Sequence, residues 1–223
     1  MSLPTSEGER ELRTSDTEAE MWQLADERGP GEARRTYPSG WLWVTGESAV
    51  ADLLDVLLAA DSDARYGTED LAARSGLAER ATEDAVDSLI GLGVLVADQG
   101  AYRINERAIV YRAASELSDA VAATGVTDAE SGFAYLADRD AVRLMIDALL
   151  EAEPEQALRQ EDIHRLTGVS RKRVWIHVEK LVALSLLEES GDEYVLDADS
   201  PVLRWVQSLD AAVVGARLTA SHP

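Results

Sequence analysis

The chain has 223 residues, 46% of them hydrophobic and 28% charged, and its 42 Asp and Glu against 21 Lys and Arg leave a net charge of −21 at pH 7. The length accommodates two domains of roughly 80–90 residues each, while the lack of cysteine excludes a disulfide framework and a thiolate metal site. No apolar run is long enough to span a bilayer, and the first residues lack the apolar core of a signal peptide, so the expected location is the cytoplasm.

Residues 1–40 are polar, rich in Glu, Arg, Ser and Gly, and expected to form a mostly disordered acidic N-terminal segment. One short helix is expected inside it, over Thr17–Arg28. Ser15 and Glu18 supply a capping box, Met21, Trp22, Leu24 and Ala25 an apolar patch, and Gly29-Pro30 a stop. Trp41 and Trp43 alternate with Leu42 and Val44, as in a short strand whose indoles plug the neighbouring core.

A first domain is expected over 41–124. Leu53, Leu54, Leu57 and Leu58 mark its first helix, Thr68–Ser75 a second, Gly76-Leu77 a turn and Thr82–Leu92 a third. Val94–Val96 and Tyr102-Arg103-Ile104 read as two strands around Gln99-Gly100, and Ala108–Thr124 as a last helix. Residues 125–137 form a linker in which Phe133, Tyr135 and Leu136 indicate a packed connection.

The second domain, 138–218, follows the same plan. Asp138 is positioned to cap a helix bearing Val142, Met145, Ile146, Leu149 and Leu150, and Pro154 to stop it. Glu161–Leu166 is a short helix with His164 facing solvent, and Thr167-Gly168-Val169 a tight turn. Ser170 then caps a third helix with Val174, Val178 and Leu181 inward. Leu184–Glu188 and Tyr194-Val195-Leu196 are strands around Ser190-Gly191, and Ser200-Pro201 opens a last helix. Residues 219–223 are a tail.

This parallel is an internal repeat. Residues 49–123 align without a gap with 141–215, an offset of 92. Glu69-Asp70 matches Glu161-Asp162, Gly76 matches Gly168, Leu89, Leu92 and Leu95 match Leu181, Leu184 and Leu187, and Tyr102, Arg112 and Leu117 match Tyr194, Arg204 and Leu209. The unit exceeds the roughly 20–50 residues of a solenoid repeat, so it is a whole domain present twice. Differences between the copies are then the place to look for function.

The third helices differ most. In the first copy the helix opens with Ala78-Glu79-Arg80-Ala81-Thr82-Glu83-Asp84, followed by Asp87. In the second the same positions read Ser170-Arg171-Lys172-Arg173-Val174-Trp175-Ile176, followed by His177, Glu179 and Lys180. Lys172 and Lys180 are the only lysines in the chain. Three cations at a helix N-terminus oppose the positive end of the helix dipole, so a compensating use is expected.

The stretch from Glu161-Asp162-Ile163 through Thr167-Gly168-Val169-Ser170 to His177-Val178-Glu179-Lys180-Leu181 resembles the winged helix-turn-helix of ArsR- and MarR-type transcription regulators. The resemblance implies a mainly α fold with small β-wings (α+β). It implies two tandem winged-helix domains related by internal duplication, each followed by an extra C-terminal helix. It also implies that the third helix of the second domain enters the major groove of double-stranded DNA. Arg171 and Arg173 would read guanine edges, Ser170, Lys172 and Lys180 would contact phosphates, and Trp175, Ile176 and His177 would border the groove. Trp175 and Ile176 equally suit a protein interface, and His177 equally suits a hydrogen-bonded core position. Arg171–Arg173 could also pair with nearby acids such as Glu161 and Asp162. The wing Glu188-Glu189-Ser190-Gly191-Asp192-Glu193 is acidic and departs from wings that grip the minor groove.

The last helices carry apolar seams with alternating 4 and 3 spacing. The first seam, Val110, Ala113, Leu117 and Ala120, is expected to pack within the chain. The second, Val202, Val206, Leu209 and Val213, continuing to Ala216, is expected to build a homodimer, as terminal helices do in the resembled families. No metal site, cofactor or catalytic centre is expected. The near absence of lysine, with abundant Ala, Val and acid, resembles the proteins of salt-in halophiles, notably haloarchaea, where molar salt screens self-repulsion. The leading expectation is a DNA-binding transcription regulator whose first domain is a scaffold, sensor or partner-docking unit. The alternative is a tandem winged-helix protein–protein adaptor, of the kind found as accessory subunits of SMC–kleisin complexes or in transcription machinery.

Overall fold

A computed structural model describes residues 11–127, 131–153 and 156–220, which are mainly helical with two small antiparallel two-stranded sheets. Three short helices come first: α1 (Glu18–Arg28), α2 (Pro30–Thr36) and α3 (Gly40–Thr45). Then follow α4 (Ser48–Leu58), α5 (Thr68–Ser75), α6 (Glu79–Gly91), β1 (Leu95–Asp98), β2 (Ala101–Ile104) and α7 (Ile109–Ala123). After α8 (Gly132–Ala137) come α9 (Asp140–Leu149), α10 (Gln160–Thr167), α11 (Arg171–Ala183), β3 (Leu187–Ser190), β4 (Glu193–Leu196) and α12 (Pro201–Ala220). Pro154, expected to end the α9 helix, lies outside the described residues, as do 1–10 of the N-terminal segment and 221–223 of the tail.

The elements recur in step with the sequence repeat. α5 and α10, α6 and α11, and the four strands keep the 92-residue offset at both ends. Leu95 pairs with Ile104 as Leu187 pairs with Leu196, and the isolated bridge Tyr66–Tyr102 has its counterpart in Leu158–Tyr194. Gly76 and Gly168 end α5 and α10 at φ of 70° and 69°, a left-handed conformation that glycine adopts without Cβ strain. The recurrence starts earlier than residue 49. α3 and α8 are also 92 residues apart, and Ser39 and Ser131 cap them alike by accepting from the Leu42 and Ala134 amides at 3.1 and 3.0 Å.

These two short helices set the arrangement of the copies. α3 packs on α12, the last helix of the second copy, and α8 packs on α7, the last helix of the first. A Cβ on Gly40 would overlap the Asp210 carbonyl, and a Cβ on Gly132 would overlap the equivalent Ser118 carbonyl. Only glycine permits either approach. The next amide in each case bonds the facing side chain: Trp41 N–H donates to Asp210 Oδ1 at 2.9 Å and Phe133 N–H to Ser118 Oγ at 3.2 Å. The contact is reciprocal, as in an isologous interface, but both halves belong to one chain.

Three expectations are corrected. Trp41–Val44 is not a strand but lies in α3, every residue of which is buried, so the alternation of indoles carried no period-2 meaning. Trp41 also reaches the second copy, donating its Nε1–H to the Arg143 carbonyl at 3.1 Å. The dimer seam Val202, Val206, Leu209 and Val213 is 0–1% exposed, because α12 packs along α7 and α3. That seam is filled from within the chain.

The third correction concerns the N-terminal segment. Within 11–40 the chain forms α1 and α2, and α1 begins after Thr17 without a side-chain cap, not from the Ser15 capping box. Arg34 on α2 is buried against α9 and α10. Its guanidinium bonds the fully buried Asp147 carboxylate, meets Glu151 at 2.7 Å and donates to the Leu166 carbonyl at 3.1 Å. Arg13 joins the same pair at 3.0 and 2.8 Å. Desolvation works against the charged guanidinium of Arg34, but the Asp147 and Glu151 carboxylates outweigh it and raise its pKa further. A buried ion pair of this kind contributes little over an apolar pair, yet losing one partner strands the other charge. Arg34→Met leaves the buried Asp147 carboxylate to Arg13 and lowers unfolding free energy by about 2 kcal/mol in chemical denaturation, and adding Arg13→Met, which strands the carboxylate, costs more than Arg34→Met alone. Val206→Asp destabilises the folded chain by at least about 3 kcal/mol, where a substitution at an intermolecular seam would alter only the mass seen by light scattering.

Candidate nucleic-acid interface

The geometry of α11 follows from the turn before it. Gly168 ends α10 in the left-handed region, Val169 is buried, and the chain enters α11 through an extended Ser170. Ser170 precedes the helix but makes no side-chain cap bond, so its hydroxyl stays at the exposed start of α11. Val174, Val178 and Leu181 are 0–1% exposed and fix the inner stripe. That fixes the outer face as well. Arg171, Lys172, Arg173, Trp175 and Ile176 are exposed, with Trp175 at 63%, and His177 and Lys180 are half-buried on the flank.

The cations are held loosely. Arg171 meets Glu161 of α10 at 2.6 Å, with both side chains largely in solvent. An exposed pair like this contributes at most about 1 kcal/mol and yields readily to a phosphate. Lys172 and Arg173 have no ion pair among the described residues. On the first copy the matching face presents Glu79, Glu83, Asp84 and Asp87, all exposed, with Arg80 the lone cation among them. The β3–β4 turn presents Glu188, Glu189 and Asp192 to solvent, while Arg159 is drawn onto Glu193 at 2.9 Å. On α11 the exposed cations Arg171, Lys172 and Arg173 stand in the first turn, with the half-buried Lys180 about two turns further on.

The histidines differ from expectation. His164 does not face solvent freely. Its Nδ1 lies 2.7 Å from the Val169 carbonyl, bracing the turn between α10 and α11. His177 is not a hydrogen-bonded core residue either, since its Nδ1 is buried without a partner. Burial first, then the charges of Lys180, Arg139 and Arg173, push the His177 imidazole below its usual pKa. It is therefore neutral at pH 7 and adds no charge to the cationic face. No trio of His, Asp or Glu among the described residues is placed to hold a metal ion, and no described helix is long and apolar enough to cross a membrane.

No protein-family model, no curated protein and no solved structure matches the chain.

Sequence reasoning located the exposed cations because charge and helical phase are local properties. It missed the roles of Arg13 and Arg34, which on sequence read as two solvated charges. The signal for α3 and α8 was present in the paired Ser39-Gly40 and Ser131-Gly132, 92 residues apart.

For His177 the folded pKa is depressed, so the unfolded chain binds the extra proton first. Its contribution is present above the unfolded value near 6.5 and is lost as pH falls from there toward the folded pKa. His177→Gln accordingly flattens the stability profile below about pH 6.5 relative to the parent, read by thermal unfolding as pH is lowered from there.

Proposed function

We propose that the chain is a DNA-binding transcription regulator built from two tandem winged helices that arose by duplication, and that it contacts double-stranded DNA through α11. One observation carries this reading: on a molecule of net charge −21, Arg171, Lys172 and Arg173 stand exposed at the N-terminus of the helix that follows a helix–turn. In a helix-turn-helix that end enters the major groove. Arg171 and Arg173 are suited to bidentate contact with guanine O6 and N7, and Ser170, Lys172 and Lys180 to phosphates. The neutral, half-buried His177 serves as support for the helix.

The first copy is proposed as a scaffold and partner-docking unit, since Glu79, Glu83, Asp84 and Asp87 repel phosphate. The acidic wing leaves minor-groove contact out of the reading. The composition suits a cell interior of molar salt, where a small cationic face is screened and base-edge hydrogen bonds carry more of the specificity.

A second reading, a protein–protein adaptor, draws on one observation: Trp175 and Ile176 are exposed at 63% and 42% beside the cations. Exposed aromatic anchors of that kind are enriched in binding hot spots. The two readings separate by charge. Arg171→Glu with Arg173→Glu weakens binding to fragmented genomic DNA by at least about 100-fold in fluorescence anisotropy, with the circular dichroism spectrum unchanged, while Glu79→Arg with Glu83→Arg changes it little. The slope of log affinity against log potassium concentration is about −2, close to one unit for each phosphate neutralised, by Lys172 and Lys180. Absence of any salt-dependent association with DNA favours the adaptor.

A further inference from the structure

The copies differ at a second place, away from the third helices. In the second copy a recess of about 260 Å³ between α3 and α9 is lined by Leu42, Gly46, Asp140, Arg143 and Leu144, and α2 flanks it with Arg34 and Arg35. The Asp147 carboxylate beneath holds the Arg34 guanidinium. In the first copy a recess of about 200 Å³ lies between α4, α5 and α8. Its residues stand 92 positions from those of the other: Ala134 for Leu42, Asp138 for Gly46, Ala51 for Arg143 and Asp52 for Leu144. Asp55 occupies the place of Asp147, and Ser75 the place of Thr167, over whose carbonyl Gly31 of α2 sits.

No described segment flanks this first recess as α2 flanks the second. The positions 92 residues after α2 begin in the last turn of α7, which is committed to α8 and α12. Asp52, Asp55 and Asp138 form no ion pair among the described residues. Among the described residues Asp55 accepts from the Ser131 hydroxyl alone. Burial, with the Asp138 and Asp55 charges, pushes the Asp52 carboxyl above its usual range, so a cation placed here favours its charged form. They do not converge as the ligands of one metal ion would. A planar guanidinium with five donors suits carboxylates spread around a recess better than a point charge does.

We propose that this recess receives an arginine carried on a short helical segment of a partner protein, held by Asp52, Asp55 and Asp138 as Arg34 is held by Asp147 in the second copy. The chain contains a precedent at one carboxylate: Asp147, at the position of Asp55, binds a helix-borne arginine in the second copy. Where Glu151 is its second acceptor there (Ala59 in the first copy), Asp52 and Asp138 supply the further carboxylates here. The inference stands apart from the reading of α11 and does not depend on it.

The test uses the full chain, isotopically labelled, followed by amide NMR at moderate potassium chloride. The probes are N-acetyl-argininamide, its lysine and citrulline counterparts, and a synthetic peptide of residues 28–38, which presents arginine in the α2 context. Saturable shifts are expected at the amides around Asp52, Asp55, Ser75, Ala134 and Asp138 with the arginine probe. They are weaker with lysine, absent with citrulline, and reduced at least about fivefold by Asp55→Asn or Asp52→Asn, both of which keep the side-chain shape. The peptide binds the same amides at least about tenfold more tightly, and its Arg34→Ala form does not. The Asp52 carboxyl resonance titrates at lower pH in the bound state. The proposal fails if shifts scatter over the acidic surface, if citrulline matches arginine, if the Asp→Asn variants bind unchanged, or if the peptide gains nothing over the single residue.

Discussion

The close approach of α3 to α12, and of α8 to α7, governs the rest of this molecule. Each approach brings a glycine against a helix carbonyl where any side chain would collide. With those two contacts made, α7 and α12 lie side by side and their apolar seams close on each other. The two copies are then held in one orientation by a shared core, and their third helices occupy fixed places on the surface. A chain that might have paired with a second molecule has completed that pairing internally.

Two halves of one chain can differ where the identical subunits of a homodimer cannot. Divergence here is concentrated in charge, while the buried positions that carry the fold stay alike. Val86, Leu89 and Leu95 are buried as Val178, Leu181 and Leu187 are. The exposed faces of α6 and α11 instead carry opposite signs, and the recess beside α4 is lined by three carboxylates where its counterpart beside α9 is lined by Arg34, Arg35 and Arg143. Core substitutions in both copies would cost stability in both, whereas exposed charges are nearly neutral to folding and so can be specialised.

The N-terminal segment illustrates how composition can mislead. Its residues from 11 onward are polar and charged, the usual mark of a chain unable to bury enough apolar surface to order itself. Two of those charges are spent on Asp147, a carboxylate that is itself fully buried, and Met21 adds an apolar anchor. Order in α1 and α2 is imposed by a partner surface more than a hundred residues away in sequence, with isolated helices this short being marginal in water. The buried carboxylate and the arginines read separately as solvated surface. Only together do they form a contact.

Much was legible in the sequence because it depends on neighbours along the chain. Hydrophobic phase gave the helices of both copies, glycines marked the left-handed turns at 76 and 168, the repeat gave the common plan, and the phase of Val174, Val178 and Leu181 placed Arg171, Lys172, Arg173 and Trp175 outside. Tertiary structure alone decided what covers each apolar seam, that Trp41 and Trp43 belong to a helix, that Arg34 is interior, and that α2 flanks one of two equivalent recesses. Periodicity records that a face must be covered but carries no address for the element that covers it. That address is set by a few close backbone approaches and buried charge pairs between residues far apart in the chain, which no local pattern encodes.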